Sequence, residues 1–117
     1  MLDKSKTYLI VGLGLLGGKY AQVLSSHGYR VTGIARSRET IDYALQHGYI
    51  AEGATEDFDA LVTGADCIIF GLYPTVLLDW VKQYGQLIRP GTLLTDVSGV
   101  KRGVAEPVQA MLPDGVE

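Results

Sequence analysis

Three glycines with the spacing G-x-G-x-x-G follow the apolar run 8–11 and open a stretch with helical periodicity. The loop consists of Gly12, Leu13, Gly14, Leu15, Leu16 and Gly17. Gly12 permits a tight turn, Gly14 lets a ligand approach the backbone, and Gly17 lets the helix pack close to the strand. Free N–H groups at the helix start attract phosphate. A turn that serves packing alone is the alternative, but the strand-loop-helix context predicts a dinucleotide pyrophosphate site.

The end of the second predicted strand bears on the choice between NAD and NADP. NAD sites usually place Asp or Glu there to bond the ribose 2′-hydroxyl. Here Ala35 occupies this position. Arg36, Ser37 and Arg38 follow it. No carboxylate repels a 2′-phosphate and two guanidinium groups can bind it, so this segment favours NADP. NAD remains the alternative if both arginines lie in solvent.

The segment after the fourth predicted strand lies at the same edge of the sheet as the glycine loop. It consists of Leu72, Tyr73 and Pro74, with Thr75 next. A helix that starts with proline and is capped by the threonine explains this segment better than direct catalysis does. We still expect Leu72, Tyr73 and Pro74 to contact the cofactor, because ligands of such sheets bind at the carboxyl ends of the strands.

Three side chains that carry a carboxylate, a hydroxyl and an amine lie close together in sequence at the end of the fifth predicted strand. They belong to Asp96, Ser98 and Lys101. Two interpretations stay open. Ser98 and Lys101 line the crevice and support the chemistry, or Ser98 caps a helix while Lys101 lies in solvent.

Neither the histidines nor the cysteine of the chain predict catalysis or a metal site. His27 and His47 each precede a glycine at the end of a predicted helix, where an imidazole can bond the last carbonyls. These helix ends lie at the edge of the sheet opposite the crevice, so we expect capping residues. Cys67 lies within an apolar run and predicts a buried thiol, and a single cysteine excludes an internal disulfide.

The composition describes one globular domain without a nucleic-acid or membrane partner. The chain has 117 residues, 47% of them hydrophobic, and a net charge of −3. This length suits one core and is too short for two domains of usual size. Charges of both signs are mixed, with no basic block of the kind that binds nucleic acid or anionic lipid. No apolar run approaches the roughly 20 residues of a transmembrane helix, and we expect a cytoplasmic protein.

Short apolar runs alternate with helical patterns along the chain, and this alternation predicts the elements that position the site. Strands are predicted at 8–11, 29–34, 49–51, 66–72 and 92–97. Helices are predicted after the glycine loop, at 39–47, at 56–64, around the apolar stripe 77–88, and at 101–112. In the first helix, Leu16, Tyr20, Val23 and Leu24 are expected to face the sheet.

The order of these elements predicts an α/β fold of Rossmann type. Strands joined by right-handed helical crossovers form a doubly wound parallel sheet with helices on both faces, three layers in all. The expected strand order is 3-2-1-4-5, with the ligand crevice at the ends of the first and fourth strands. After Pro113 we expect the first residues of a truncated sixth strand.

With these motifs in place, the chain resembles the prephenate/arogenate dehydrogenase family. The matching stretches are residues 10–18, 44–48 and 95–101, and the last, T-D-V-S-G-V-K, is the most specific. The resemblance covers nearly the whole chain but only the amino-terminal half of a family member. It implies an NAD(P)-binding domain over residues 1–117. It also implies a helical domain, absent from this chain, that completes the substrate pocket and forms a homodimer.

The resemblance also implies a reaction. Family members oxidatively decarboxylate prephenate or arogenate in tyrosine biosynthesis, with hydride passing to the nicotinamide. The family places the glycine loop on the pyrophosphate, residues 36–38 on the adenosine ribose or its phosphate, and Ser98 and Lys101 at the nicotinamide end. Its catalytic histidine, in an H-P-M-type motif, falls beyond Glu117. We therefore expect this chain to bind cofactor without turning over substrate, and its sequence does not distinguish prephenate from arogenate.

Two other functions stay open. A dehydrogenase of the β-hydroxyacid or imine-reductase kind shares the glycine loop and the strand-four region, and carries a catalytic lysine on a later helix in place of the H-P-M motif. A non-catalytic nucleotide-sensing module would change its association with a partner when cofactor binds, so its oligomeric state would respond to cofactor.

Overall fold

The structure is a computed structural model that describes residues 5–96. The strands are β1 (Thr7–Val11), β2 (Arg30–Ile34), β3 (Glu52–Ala54), β4 (Cys67–Phe70) and β5 (Leu93–Asp96). The helices are α1 (Leu15–Ser26), α2 (Arg38–Gln46), α3 (Asp59–Thr63) and α4 (Pro74–Tyr84), which continues into a 3-10 helix, Gly85–Leu87. Within residues 5–96 no helix has the length and apolar character needed to cross a membrane. The helix predicted at 101–112 lies outside the described residues.

The strands form one parallel sheet in the order β3-β2-β1-β4-β5, which confirms the predicted Rossmann-type order. β1 lies at the centre, where Leu9 stands in register with Thr32 of β2 and Ile68 of β4. The chain moves outward from β1 to β3 and then returns to the other side of β1. This reversal opens a crevice at the carboxyl ends of β1 and β4, where ligands of such sheets bind.

Two hydrophobic clusters, one on each face of the sheet, hold the helices in place. Ala21 of α1 and Ile41 of α2 share a cluster with Ile10. Val81 of α4 shares the other cluster with Leu9, together with residues of α3. Because both faces are covered, the central strands are apolar at successive positions instead of alternating with polar residues.

The buried face of α1 differs from the prediction. Tyr20 and Val23, expected to face the sheet, are 47% and 48% exposed. Leu24 is buried as predicted, and Gly17 and Ala21 are buried in place of Tyr20 and Val23. Because Gly17 has no side chain, α1 can approach β1 closely with its face of small residues, and the bulkier residues lie on the flank of the helix.

The third strand lies later in the chain than predicted. The apolar residues 49–51 suggest a strand, but β3 begins at Glu52. Ile50 is buried because its side chain lies across the sheet, with Cδ1 only 2.7 Å from the position that a Cβ on Gly53 would take. The same side chain also approaches Gly33 of the neighbouring strand. Its hydrophobicity therefore reflects packing over two glycines and not a place in the ladder.

Two further elements, β4 and α3, are shorter than their predicted ranges of 66–72 and 56–64, and β5, predicted at 92–97, begins one residue later, at Leu93. The predicted end of β5 at residue 97 lies outside the described residues. For α3 the cause is visible in the backbone. Asp57 has a φ of 52°, which no residue of a right-handed helix adopts, so the helix begins only after it.

A polar clamp joins the amino-terminal ends of β1 and β4, at the edge opposite the crevice. Asp66 accepts a hydrogen bond from the Thr7 backbone N–H at 2.8 Å and another from Arg89 at 3.0 Å. Arg89 also donates to the carbonyl of Ala65. The Thr7 hydrogen bond, and then Arg89, hold the pKa of the Asp66 carboxyl below its ordinary value of 3.8.

Because of this clamp, we expect the free energy of unfolding to decrease in acid. Because the pKa of Asp66 is lower in the folded than in the unfolded chain, its contribution is full above the unfolded value and disappears as pH falls through the folded value. In urea unfolding between about pH 5 and about pH 2, the free energy of unfolding should therefore fall less steeply for Asp66→Asn than for the wild type. Parallel pH profiles of the two proteins would show that the clamp does not act through this carboxylate.

Candidate functional site

The glycine loop connects the end of β1 to the start of α1 and forms the floor of the crevice. Gly12 has a φ of 93°, in the left-handed region that favours glycine. Its N–H donates to the carbonyl of Ile34 at the end of β2 at 2.8 Å. A Cβ on Gly12 would stand 2.7 Å from the Leu72 side chain and 2.8 Å from the carbonyl oxygen of Gly71. The turn is therefore held between the ends of β2 and β4.

Two glycines bring α1 and β4 into direct backbone contact with this turn. A Cβ on Gly17 would stand 2.0 Å from the Gly12 carbonyl oxygen, closer than any real contact. A Cβ on Gly71 would stand 2.7 Å from the same oxygen and 3.2 Å from the Cα of Gly17. Gly71 was not predicted as a site residue, although its position directly after an apolar run at the crevice edge was the available signal.

Gly14 differs from these packing glycines because it faces open space. Among the residues that the structure describes, no atom other than those of its chain neighbours and of the α1 backbone lies within 4 Å of the Cβ that a side chain would place there. Gly14 is the N-cap of α1 and provides no side-chain cap, and the first turn of the helix contains no acidic residue. Gly18 donates the first intrahelical bond, to the Gly14 carbonyl, so the preceding N–H groups have no acceptor within the helix. This cradle of free N–H groups fits a pyrophosphate.

The first leucine of the glycine loop, Leu13, packs toward the core. Leu13 is 7% exposed, and its side chain lies against Gly33 of β2. Its side chain is therefore part of the core, and only its backbone borders the loop. Leu15 and Leu16 form the first turn of α1.

The two arginines that follow β2, both expected to bind a 2′-phosphate, have different surroundings. Ala35 is buried, and its N–H donates to the carbonyl of Ala54. Arg36 is exposed and has no ion-pair partner within residues 5–96. Ser37 is the N-cap of α2 without a side-chain cap bond. Arg38 lies in the first turn and is bonded to Asp42 at 3.0 Å. Arg36 is therefore the free cation at this position.

The segment after β4 forms the other side of the crevice. Gly71 donates to the carbonyl of Val11, and the chain then turns into α4. Pro74 occupies the first turn of the helix, as predicted, but the N-cap is Tyr73 and not Thr75. The prediction of a threonine cap is wrong because the helix begins directly at the proline, whose fixed φ suits that position. Tyr73 makes no side-chain cap bond and is 81% exposed.

The described residues include no catalytic histidine or metal-binding cluster at the crevice. His27 and His47 are the C-caps of α1 and α2, at the opposite edge of the sheet as predicted. His47 donates from Nδ1 to the carbonyl of Tyr43 at 2.8 Å. Burial raises the pKa of the Cys67 thiol, as expected of a strand residue in the core. Within residues 5–96 no group of His, Cys, Asp and Glu is arranged to hold a metal ion. Ser98 and Lys101 lie outside the described residues.

The parallel sheet, its strand order and the glycine loop at the strand reversal define a Rossmann-type domain. A sequence model described as "Prephenate dehydrogenase, nucleotide-binding domain" matches residues 20–117. The chain belongs to this family. The match begins after the glycine loop, so the loop is an independent observation that agrees with it. A search of curated proteins finds no match to the chain.

Similar solved structures include prephenate and arogenate dehydrogenases, a 3-hydroxyisobutyrate dehydrogenase and imine reductases. Arogenate dehydrogenase of Synechocystis superimposes with a TM-score of 0.82 at 26% identity, over 90% of this chain and 37% of that one. Prephenate dehydrogenase of A. aeolicus, in complex with hydroxyphenyl propionate and NAD⁺, superimposes with a TM-score of 0.82 at 24% identity, over 95% of this chain and 40% of that one. The 3-hydroxyisobutyrate dehydrogenase of Mycobacterium tuberculosis superimposes with a TM-score of 0.78 at 24% identity, over 95% of this chain and 38% of that one. The chain thus spans about two fifths of the length of these relatives.

Proposed function

We propose that this domain binds NADP in preference to NAD and serves as the cofactor half of an enzyme that oxidatively decarboxylates prephenate or arogenate. The observation that carries the proposal is the geometry of the crevice. An uncapped helix N-terminus opens at Gly14, and the neighbouring strand ends in Ala35 where a carboxylate would select NAD, with the unpaired Arg36 directly after it. Family membership supports the reaction class.

The residues of this chain bind and orient the cofactor. The loop N–H groups would hold the pyrophosphate, Ala35 to Arg38 would border the adenosine ribose, and Leu72 to Pro74 would border the nicotinamide side. The cofactor, when bound, accepts the hydride that leaves the substrate ring. By family resemblance, Ser98 and Lys101 line the nicotinamide end, and the product belongs to tyrosine biosynthesis.

The two arginines should contribute unequally to the cofactor preference. Arg36→Ala should weaken NADP⁺ binding by roughly tenfold, the loss of one charge-assisted phosphate contact, and leave NAD⁺ binding nearly unchanged. Arg38→Ala is the matched control. Its guanidinium is bonded to Asp42, so NADP⁺ affinity should fall by less than about threefold. Calorimetric titration measures both. An equal loss of NAD⁺ and NADP⁺ affinity in Arg36→Ala would reject the 2′-phosphate role.

The proposed reaction is tested with the protein encoded by the native gene. Purified protein is mixed with NADP⁺ and either prephenate or arogenate, and reduced cofactor and released carbon dioxide are measured together. The proposal predicts equal amounts of the two products. If the protein reduces the cofactor with a 3-hydroxy acid such as 3-hydroxyisobutyrate and reacts with neither prephenate nor arogenate, the result would favour the hydroxyacid dehydrogenases that share this fold.

A further inference from the structure

An aromatic ring stands in solvent at the edge of the crevice. Tyr73 is 81% exposed. Val76, one helical turn later, is 38% exposed. Tyrosine is not a capping residue, and Tyr73 makes no cap bond to α4. Neither packing nor capping within the described part of the chain therefore accounts for a tyrosine at this position.

The backbone places this ring within reach of the pyrophosphate cradle. Gly71, two residues earlier, lies against the backbones of Gly12 and Gly17. Two residues span at most about 7 Å, which keeps the Tyr73 backbone close to the loop. Tyr73 is extended, with a ψ of 150°, and Pro74 next to it begins α4. Because proline fixes its own φ and restricts the residue before it, the turn is a stiff support for the ring.

The position of β4 determines which half of the cofactor this ring meets. β2, with Arg36 after it, lies on one side of β1, and β4 lies on the other. A dinucleotide whose pyrophosphate lies at the start of α1 spans the crevice between these two sides. With its adenosine at the end of β2, its nicotinamide lies toward the end of β4, where Tyr73 stands.

We propose that the ring of Tyr73 packs on the nicotinamide ring of the bound dinucleotide and shields it from water. This inference rests on the proposed cofactor function. The oxidised nicotinamide ring is a planar cation, and the face of a tyrosine ring carries partial negative charge, so the two attract as well as stack. The exposed aromatic surface is then covered only when cofactor binds.

The test compares ligands that differ only in the nicotinamide. NAD⁺ is paired with ADP-ribose, and NADP⁺ with 2′-phospho-ADP-ribose, in calorimetric titrations of the wild type, Tyr73→Ala and Tyr73→Phe. Tyr73→Ala should weaken dinucleotide binding by roughly tenfold and leave binding of the nicotinamide-free partner within about twofold. Tyr73→Phe keeps the ring and should retain wild-type affinity. Val23→Ala is the control, because Val23 is 48% exposed in the last turn of α1, at the end of the helix away from the crevice.

The outcomes separate this inference from the function on which it rests. If the wild type binds both ligands of a pair and Tyr73→Ala loses affinity equally for both, or for neither, the nicotinamide contact is rejected while the cofactor site stands. If Tyr73→Phe loses as much affinity as Tyr73→Ala, the hydroxyl and not the ring is responsible, and the stacking contact is rejected. If the wild type binds none of the four ligands, the proposed function fails and this contact fails with it.

Discussion

Gly17→Ala should lower the free energy of unfolding by about 3 kcal/mol or more, a large part of the stability of a domain of this size. The added Cβ would stand 2.0 Å from the Gly12 carbonyl oxygen and 3.3 Å from Cγ2 of Ile10. The carbonyl belongs to the backbone of the turn and cannot rotate away as a side chain would. Helix α1 would have to move away from β1, which opens the core and displaces the loop.

Urea unfolding followed by the fluorescence of the single tryptophan measures this effect. Trp80 is 9% exposed and belongs to the cluster on the opposite face of the sheet, so its emission reports global unfolding. Gly18→Ala is the matched control, since its Cβ would come no closer than 3.9 Å to the Leu13 carbonyl and alanine favours the helix. Equal stability of Gly17→Ala and the wild type would show that α1 does not pack against the turn as described.

Gly14→Ala should show the opposite combination, an intact fold with weakened cofactor binding. The residue has a φ of −78°, and within residues 5–96 no tertiary neighbour comes within 4 Å of its Cβ position, so the free energy of unfolding should fall by no more than about 1 kcal/mol. The methyl group would occupy the space through which the pyrophosphate approaches the helix N–H groups. Losing such charge-assisted bonds should reduce dinucleotide affinity by roughly tenfold to a hundredfold.

Calorimetry and urea unfolding of Gly14→Ala, carried out together, test this combination. Gly18→Ala serves again as the control and should bind dinucleotide as the wild type does. A Gly14→Ala protein with wild-type affinity would mean that the pyrophosphate does not lie at the start of α1. A Gly14→Ala protein that unfolds as readily as Gly17→Ala would mean that the open space at this glycine is absent in solution.

The strand order and the position of the glycine loop at the crevice could be predicted because they depend on local patterns. Continuous apolar runs separated by helical periodicity leave few topologies when crossovers are right-handed. The position of β3 could not be predicted in this way, because Ile50 is hydrophobic for a tertiary reason, its packing over Gly33 and Gly53. The exposure of Tyr20 also has a tertiary cause, because α1 lies so close to β1 that only the face of α1 with small residues can be buried.

The sequence indicated which residues lie at the crevice, but not the contacts between them. The difference between Arg36 and Arg38 arises from the bond to Asp42, an i,i+4 pair that the sequence contains and whose significance depends on where α2 begins. Gly71 was missed because its requirement for glycine comes from the backbone of Gly12, far away in sequence. Such an approach between segments is visible only once the strands are paired.

The central claim, that the glycine loop forms a nicotinamide dinucleotide site, is tested most directly by calorimetric titration of this 117-residue chain with NADP⁺ and NAD⁺. The account predicts one dinucleotide per chain, with NADP⁺ bound more tightly. Tighter binding of NAD⁺ would contradict the role of Arg36 and leave the loop assignment intact. Absence of binding by both dinucleotides, from a chain that unfolds cooperatively, would contradict the claim itself.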